Sequence, residues 1–178
     1  MFRKDLIIRG KHATFLDKLS RQFNEEAKLS FFERNVDVIL TAPVIGLTYN
    51  RFANPDNSAD NTAKVMTETL LKEQQHLNFV FRLTMLLHDR QTISLESRIN
   101  KAFRMNSQSP EFNEARRIFE GYVLGGIEYL YEKLIEPSKT YDQYLSNLYE
   151  FVSTHNNRYF AADTDDQIEE LCRLASDF

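Results

Sequence analysis

The fold is decided by residues 36–47, which read Val-Asp-Val-Ile-Leu-Thr-Ala-Pro-Val-Ile-Gly-Leu. Apolar side chains would lie on nearly every side of a helix formed by this stretch, which is typical of a buried helix. The sequence therefore predicts a central helix. Pro43 removes an interior hydrogen bond and clashes with the preceding turn, so we expect a kink or a break near Thr41–Ala42. Residues 30–33, Ser-Phe-Phe-Glu, match a capping box and predict where this helix begins.

Helical signals continue on both sides of the central stretch. Residues 5–11 read as a short extended lead-in, and residues 54–61 read as a loop of turn-forming residues. Capping residues and apolar periodicity predict the remaining helices. These cover residues 12–23, about 62–88, 94–105, 110 to before Pro137, 140 to about 155, and an acidic last helix opened by the capping box at 164–167. The expected fold is all-α: a compact bundle of about seven helices in one domain, residues 1–178, with its central helix kinked near Pro43.

Composition limits the class of protein further. Only five glycines and four prolines occur in 178 residues, which argues against a turn-rich barrel or sandwich. No apolar run is long enough to span a membrane, and the three apolar residues at 6–8 are too few for a signal peptide, so we expect a cytoplasmic protein. The single cysteine, Cys172, excludes a disulfide framework and a cysteine-cluster zinc site. Its acidic neighbours favour a buried, inert thiol over a nucleophile.

Candidate catalytic and metal-binding patterns are weak. Glu73 and His76 have the Glu-x-x-His spacing of di-iron bundles, but that chemistry needs two copies and two further carboxylates. The glycines near residue 125 have no lysine beside them and do not form a phosphate loop. Gly121 and Gly125 share one helix face and indicate close approach of a second helix. We therefore expect no enzymatic activity, no metal and no cofactor.

Charge is distributed unevenly along the chain. The net charge is −4, yet residues 1–22 carry six basic groups against two acids, and residues 141–178 carry eight acids against two arginines. Basic side chains recur on one face of the predicted first helix and every third residue on the predicted short helix, and such rows can neutralise phosphates along a duplex. A solvated helix face is the alternative. The candidate DNA-binding residues are Arg9, Lys11, Lys18, Arg21, Arg98, Lys101 and Arg104.

Three segments resemble the small helical DndE proteins of bacterial DNA phosphorothioation systems. Residues 6–19 (LIIRGKHATFLDKL) are similar to that family's basic lead-in and Leu-rich helix. Residues 69–79 (TLLKEQQHLNF) and 122–130 (YVLGGIEYL) are similar to two of its later helices. Lys72 and Gly125 depart from the family pattern, which has a glycine and an arginine there. The three segments together cover about a quarter of the chain. They make residues 1–136 the DndE-like part of the domain and residues 137–178 an acidic helical extension.

The resemblance implies a non-catalytic, DNA-associated accessory subunit of a DNA-modification and phage-defence complex. It implies duplex or nicked DNA, a sulfur-transferase and an SMC-like ATPase as partners, and assembly into a homo-oligomer. Carried over by position, it points to Lys11 and Lys18 as DNA contacts. The alternative is a helical protein–protein interaction module without nucleic-acid contact, which would assemble through the acidic last helix and the Gly121/Gly125 face.

Overall fold

A computed structural model describes residues 4–23, 29–56, 61–105 and 109–159. In chain order the elements are β1 (Leu6–Arg9), α1 (Gly10–Ser20), α2 (Asn35–Thr48), β2 (Thr62–Val65), α3 (Thr67–Lys72), α4 (Gln74–Leu87), α5 (Leu95–Ile99), a π-helical turn (Asn100–Arg104), α6 (Pro110–Leu134) and α7 (Tyr141–Tyr159). Seven helices and a two-stranded sheet within these ranges confirm the predicted all-α bundle. The expected helix from Thr164, and Cys172 within it, lie outside the described residues.

Helices α2 and α6 form the centre of the core, and two glycines let their backbones meet. A Cβ at Gly126 would overlap the carbonyl oxygen of Ala42, and one at Gly46 would lie 2.5 Å from the carbonyl oxygen of Tyr122. Around this crossing, Ile39 of α2 and Ile127 of α6 are completely buried. The two helices therefore pack with no side chain between them at these points, which fixes their relative position.

The predicted close approach of a second helix at Gly121 and Gly125 is wrong. A Cβ at Gly121 would overlap the ring of Phe52, and one at Gly125 would overlap the carbonyl group of Arg51. Both glycines therefore lie against the extended segment that follows α2, rather than against a second helix. The Ala53 N–H donates to the carbonyl oxygen of Gly121 at 3.0 Å, which ties this segment to α6.

The start and interior of α2 differ in part from expectation. The helix begins at Asn35 rather than at the Ser30 capping box, because the Asp37 carboxylate accepts the Arg34 backbone N–H at 3.0 Å and supplies the terminal bond there. Pro43 is buried within α2 and the helix continues across it. We expected either a kink or a break of the helix near Thr41–Ala42, and the break does not occur.

Residues 62–65 are a strand and not the first turn of a long helix. β2 pairs antiparallel with β1, with Leu6 opposite Val65 and Arg9 opposite Thr62. The β1 segment needs backbone partners, and β2 supplies them, so tertiary pairing overrides the helical pattern. Asp5 then links the sheet to α3: it lies 2.6 Å from Lys64 Nζ and accepts the Thr67 N–H at 2.7 Å. These bonds hold the pKa of Asp5 well below its usual range.

The later helices begin where the sequence predicts. The Ser94 hydroxyl caps α5, and the Ser109 hydroxyl accepts the Phe112 N–H at 3.2 Å ahead of Pro110. α7 runs four residues beyond its predicted end near residue 155 and packs on α6. None of the helices in the described ranges combines the length and apolarity needed to cross a lipid bilayer.

The glycine contacts predict a difference between two conservative substitutions. Gly126→Ala should destabilise the protein by about 2 kcal/mol or more, because the new methyl group meets the α2 backbone, which cannot move alone. Gly121→Ala should cost less, because the Phe52 ring in its way is half exposed and can rotate. Urea unfolding followed by circular dichroism measures both. Equal losses for the two variants would contradict the assigned α2–α6 contact.

Candidate nucleic-acid interface

Arg9 occupies the outer face of the two-stranded sheet. Side chains alternate along β1, so that Ile8 is buried in the core and Arg9 is exposed. Its register partner Thr62 is also exposed. Within the described part of the chain, the Arg9 side chain has no hydrogen bond or ion pair. The sheet therefore presents this cation to solvent next to the first turn of α1.

Lys18 and Arg21 lie at the other end of α1. Both line a shallow depression with Thr14, Asp17, Asn61 and Thr62, the first residue of β2. Lys18 Nζ lies 5.4 Å from the ring centroid of Tyr131, and the same ring stacks on Phe15 at 3.9 Å. Arg21 is exposed, and its side chain makes no bond to any residue that the structure describes. We call Arg9, Lys18 and Arg21 the α1 basic face; Asp17 is the one acid in the depression.

Lys11 forms an ion pair within the protein, although the sequence predicts that it lies on the same helix face as Lys18 and Arg21. Its Nζ lies 2.7 Å from Glu128 Oε1 on α6, and its backbone N–H donates to Asp56 at 2.8 Å. The hydrogen bond to Glu128 raises the pKa of Lys11. Its charge is therefore compensated within the protein before any ligand approaches.

The same carboxylate also holds a buried histidine. His12 is completely inaccessible to solvent, and its Nε2 lies 2.9 Å from Glu128 Oε1. Burial lowers the pKa of His12, so the ring is neutral near pH 7 and its Nε2–H donates to Glu128. Among the described residues, no hydrogen-bond partner meets the Nδ1 atom of His12. No sequence pattern indicates this pair, because its two members are 116 residues apart.

His12 lines a cleft of about 320 Å³ between β1 and α6. Apolar walls come from Ile8, Phe119 and Val123, and Arg9 lies at its border. Across the cleft, Arg116 is paired with Glu120, at 2.7 Å from Nε to Oε1. The cleft thus joins the α1 basic face to the His12–Glu128 pair, and Arg9 belongs to both.

The second predicted basic row does not form a free row in the structure. Arg98 donates to the carbonyl oxygens of Leu86, at 2.5 Å, and Ile93, at 3.2 Å, and so ties the end of α4 to the next turn. Lys101 is only 19% exposed and lies 3.6 Å from a Glu114 oxygen. Arg104 is exposed and bonded to Asn100 Oδ1 at 3.1 Å. The π-helical turn over Asn100–Arg104 also removes the regular helical spacing on which the prediction relied.

Glu73 and His76 bond to one another. His76 Nδ1 lies 3.0 Å from Glu73 Oε2, and Arg34 Nη2 lies 3.0 Å from Glu73 Oε1. The carboxylate is thus shared between a histidine and an arginine. Across the described residues, no group of three or more His, Cys, Asp or Glu side chains is placed to hold a metal ion.

No protein-family model, curated protein or solved structure matches this chain. Its function must therefore be assigned from its own residues and their positions. The α1 basic face is the feature with the clearest chemical meaning, because it gathers exposed guanidinium and ammonium groups beside polar side chains.

The buried histidines predict how stability depends on pH. Burial is the main cause of the lowered pKa of both His12 and His88, so the unfolded chain binds more protons below its histidine pKa near 6.5. The free energy of unfolding should therefore fall as the pH is lowered from 7 to 5. Urea unfolding at several pH values measures this.

The variant His12→Gln should reduce this pH dependence by removing one of the two groups. His88→Gln should reduce it as well, because burial is also the main cause of the lowered pKa of His88. The negative charges of Glu128 and Asp56 raise the pKa of His12, and the positive charge of Lys11 lowers it. Burial outweighs the two carboxylates, so the pKa is lowered overall. Stability that is constant or rises toward pH 5 would contradict a neutral, buried His12.

Proposed function

We propose that this protein is a non-catalytic, DNA-associated accessory subunit that binds the phosphate backbone through the α1 basic face. The supporting observation is that Lys18 and Arg21 are exposed around one depression that Thr62 also lines. Arg9, which is exposed as well, is the register partner of Thr62. The resemblance of three segments to DndE proteins supports a role in DNA phosphorothioation and phage defence. It also suggests a sulfur-transferase and an SMC-like ATPase as partners, and a homo-oligomer as the working form.

The chemistry of the face suits a phosphate backbone rather than base recognition. Lys18 and Arg21 are separated by about 4.5 Å along the helix axis. Hydroxyl and amide groups of Thr14, Asn61 and Thr62 lie beside them, and such groups contact phosphate oxygens in many protein–DNA interfaces. The contact therefore fixes the protein on a duplex without reading its sequence.

The net negative charge of the protein means that DNA binding must depend on a few local cations. The whole chain has a net charge of −4 and a pI near 5.6, so its overall field repels nucleic acid. Attraction must come from cations that no internal carboxylate compensates. The charge of Lys11 is compensated by Glu128. The proposed DNA contacts are therefore Lys18, Arg21 and Arg9, in place of the expected Lys11 and Lys18.

The interaction module without nucleic-acid contact is the second candidate. Large apolar side chains favour it, above all Phe79, 65% exposed on α4, and Tyr149, 77% exposed on α7. The Gly121/Gly125 face that it was expected to use is already covered by residues 51–52. The acidic last helix that it was also expected to use lies outside the described residues.

The test is a fluorescence-anisotropy titration of intact and nicked duplex DNA at several salt concentrations. Replacing both Lys18 and Arg21 by Gln should flatten the slope of log K against log salt by about 2 and weaken binding similarly for all sequences. A control pair, Arg90→Gln with Lys139→Gln, makes the same change in net charge at exposed positions elsewhere. It should leave the slope near that of the wild type.

Two results would contradict the proposal. One is a wild-type slope in the Lys18/Arg21 variant, which would make the α1 basic face solvated surface. The other is equal flattening in the control pair, which would show that total charge acts and not this face. The single variant Lys11→Gln should have little effect, because its charge is held by Glu128. Neighbouring genes for a sulfur-transferase or an SMC-like ATPase would support the wider complex.

A further inference from the structure

Strand β1 has one edge that pairs with β2 and a second edge that faces the cleft between β1 and α6. Residues 5–9 all line this cleft, although side chains alternate between the two faces of a sheet. A surface that all five residues reach is therefore the edge of the strand and not one of its faces. The opposite wall is one side of α6, on which Arg116, Glu120, Val123 and Leu124 recur at helical spacing.

The hydrogen bonds to β2 determine which backbone groups this second edge presents. The Gly10 N–H donates to the Asn61 carbonyl oxygen at 2.9 Å, which makes these two residues a hydrogen-bonded pair that continues the antiparallel register. Such pairs alternate along a strand, so every second residue before Gly10 also bonds to β2. The residues between them, Ile7 and Arg9, turn their backbone groups toward the cleft.

Three of these backbone groups have no hydrogen-bond partner within the described part of the chain. Arg9 directly precedes α1, and its carbonyl oxygen serves the first turn of that helix. The Ile7 N–H, the Ile7 carbonyl oxygen and the Arg9 N–H remain, and they bond to none of the described residues. Such unpaired groups at a strand edge form the template on which another strand can pair.

We propose that this edge binds an extended peptide segment of a partner protein, which adds to the sheet as a third strand beside β1. In antiparallel orientation, the peptide residue opposite Ile7 exchanges both of its backbone hydrogen bonds with Ile7. The peptide residue opposite Arg9 accepts the Arg9 N–H. Four extended residues span about 13 Å, so a segment of this length covers all of β1.

The cleft also selects the side chains of the segment. The two peptide residues that flank the position opposite Ile7 point to the same side of the sheet as Ile8, which is buried. Because Val123 and Leu124 form an apolar wall there, these two peptide residues are apolar.

The peptide residue opposite Arg9 is acidic. The Arg9 guanidinium has no ion pair with any residue that the structure describes. The other charged side chains of the lining are bonded within the protein, and they are Asp5, Asp56, Arg116 and Glu120. Read from its amino end, the segment is therefore acidic, apolar, variable and apolar.

A partner's peptide fits the cleft better than β1 of a second copy does. In another copy, β1 is paired with β2 along one edge and runs directly into α1. A cleft of about 320 Å³ takes a single extended segment of a few residues and not a sheet with its helix. The contact goes beyond the proposed function and does not rest on it, because Lys18 and Arg21 lie outside the cleft.

The test uses the full-length protein and a probe peptide, Ser-Asp-Val-Thr-Val-Ser, labelled with fluorescein at its amino end and amidated at its carboxyl end. Fluorescence anisotropy measures the affinity, and amide hydrogen exchange followed by NMR locates the contact. The Ile7 and Arg9 amides should exchange rapidly in the free protein and become protected when the probe binds. The Leu6 and Ile8 amides, which bond to β2, should be protected in both states.

Methylation of single peptide nitrogens tests the register. On the threonine of the probe, it removes the N–H that donates to the Ile7 carbonyl oxygen, and binding should weaken about tenfold. On the valine that follows, it removes an N–H that points away from β1, and binding should change little. This comparison leaves the protein itself unaltered, so a folding defect cannot imitate the result.

Substitution of Arg9 tests the charge selection. Arg9→Gln should weaken binding of the probe about threefold and should not affect a probe that has asparagine in place of aspartate. Arg21→Gln is the matched control, because it removes an exposed arginine outside the cleft. It should leave the affinity for both probes unchanged while it weakens DNA binding, so the two proposals can fail separately.

Every other outcome overturns the proposal. Absence of probe binding, or equal affinity of the two methylated probes, would show that the edge does not pair with a peptide. Protection of the Ile7 and Arg9 amides in the free monomer would show that the chain itself covers the edge. Protection that appears only with rising protein concentration, together with dimer formation, would identify a second copy as the occupant. Equal weakening by Arg9→Gln and Arg21→Gln would show that total charge acts and not this site.

Discussion

Backbone-to-backbone packing between α2 and α6 is the constraint on which the other contacts depend. Gly46 and Gly126 permit it, and residues 121–127 of α6 are buried as a result. Because α6 is fixed in this way, the residues that emerge from its buried stretch reach other elements from defined positions. Glu128 holds α1 through Lys11 and His12, and Tyr131 supports Lys18. A shift of α6 would therefore disturb the sheet, α1 and the cleft together.

The distribution of charge shows why a count of basic residues is a poor guide to a binding surface. Arg98 serves as a hydrogen-bond donor to backbone carbonyls, and Lys101 is mostly buried near Glu114. Each of these cations already has a role in the fold, and binding DNA would require that role to be given up. Arg9 and Arg21 have no such role within the described residues. Availability, more than number, selects the α1 basic face.

The buried His12–Glu128 pair lies next to this face and has a different character. Its carboxylate serves two cationic or donor groups through one oxygen atom, while its imidazole is shielded from water. Burial of polar groups is tolerated when they are hydrogen-bonded, and Glu128 provides one such bond for His12. The pair joins α1, the helix that carries Lys18 and directly follows Arg9, to α6.

The sequence by itself determined the all-α class, the central position of the helix over residues 36–47, most of whose residues are buried, and the starts of α5, α6 and α7. Those features depend on local chemistry: capping hydroxyls, a first-turn proline and apolar periodicity. The tertiary structure alone decided that residues 62–65 form a strand, because only pairing with β1 makes them one. It also decided which glycines touch a helix, and which of seven predicted cations remain free. Those outcomes depend on partners far away in sequence, such as Glu128 for His12, and local patterns contain no information about which distant residues will meet.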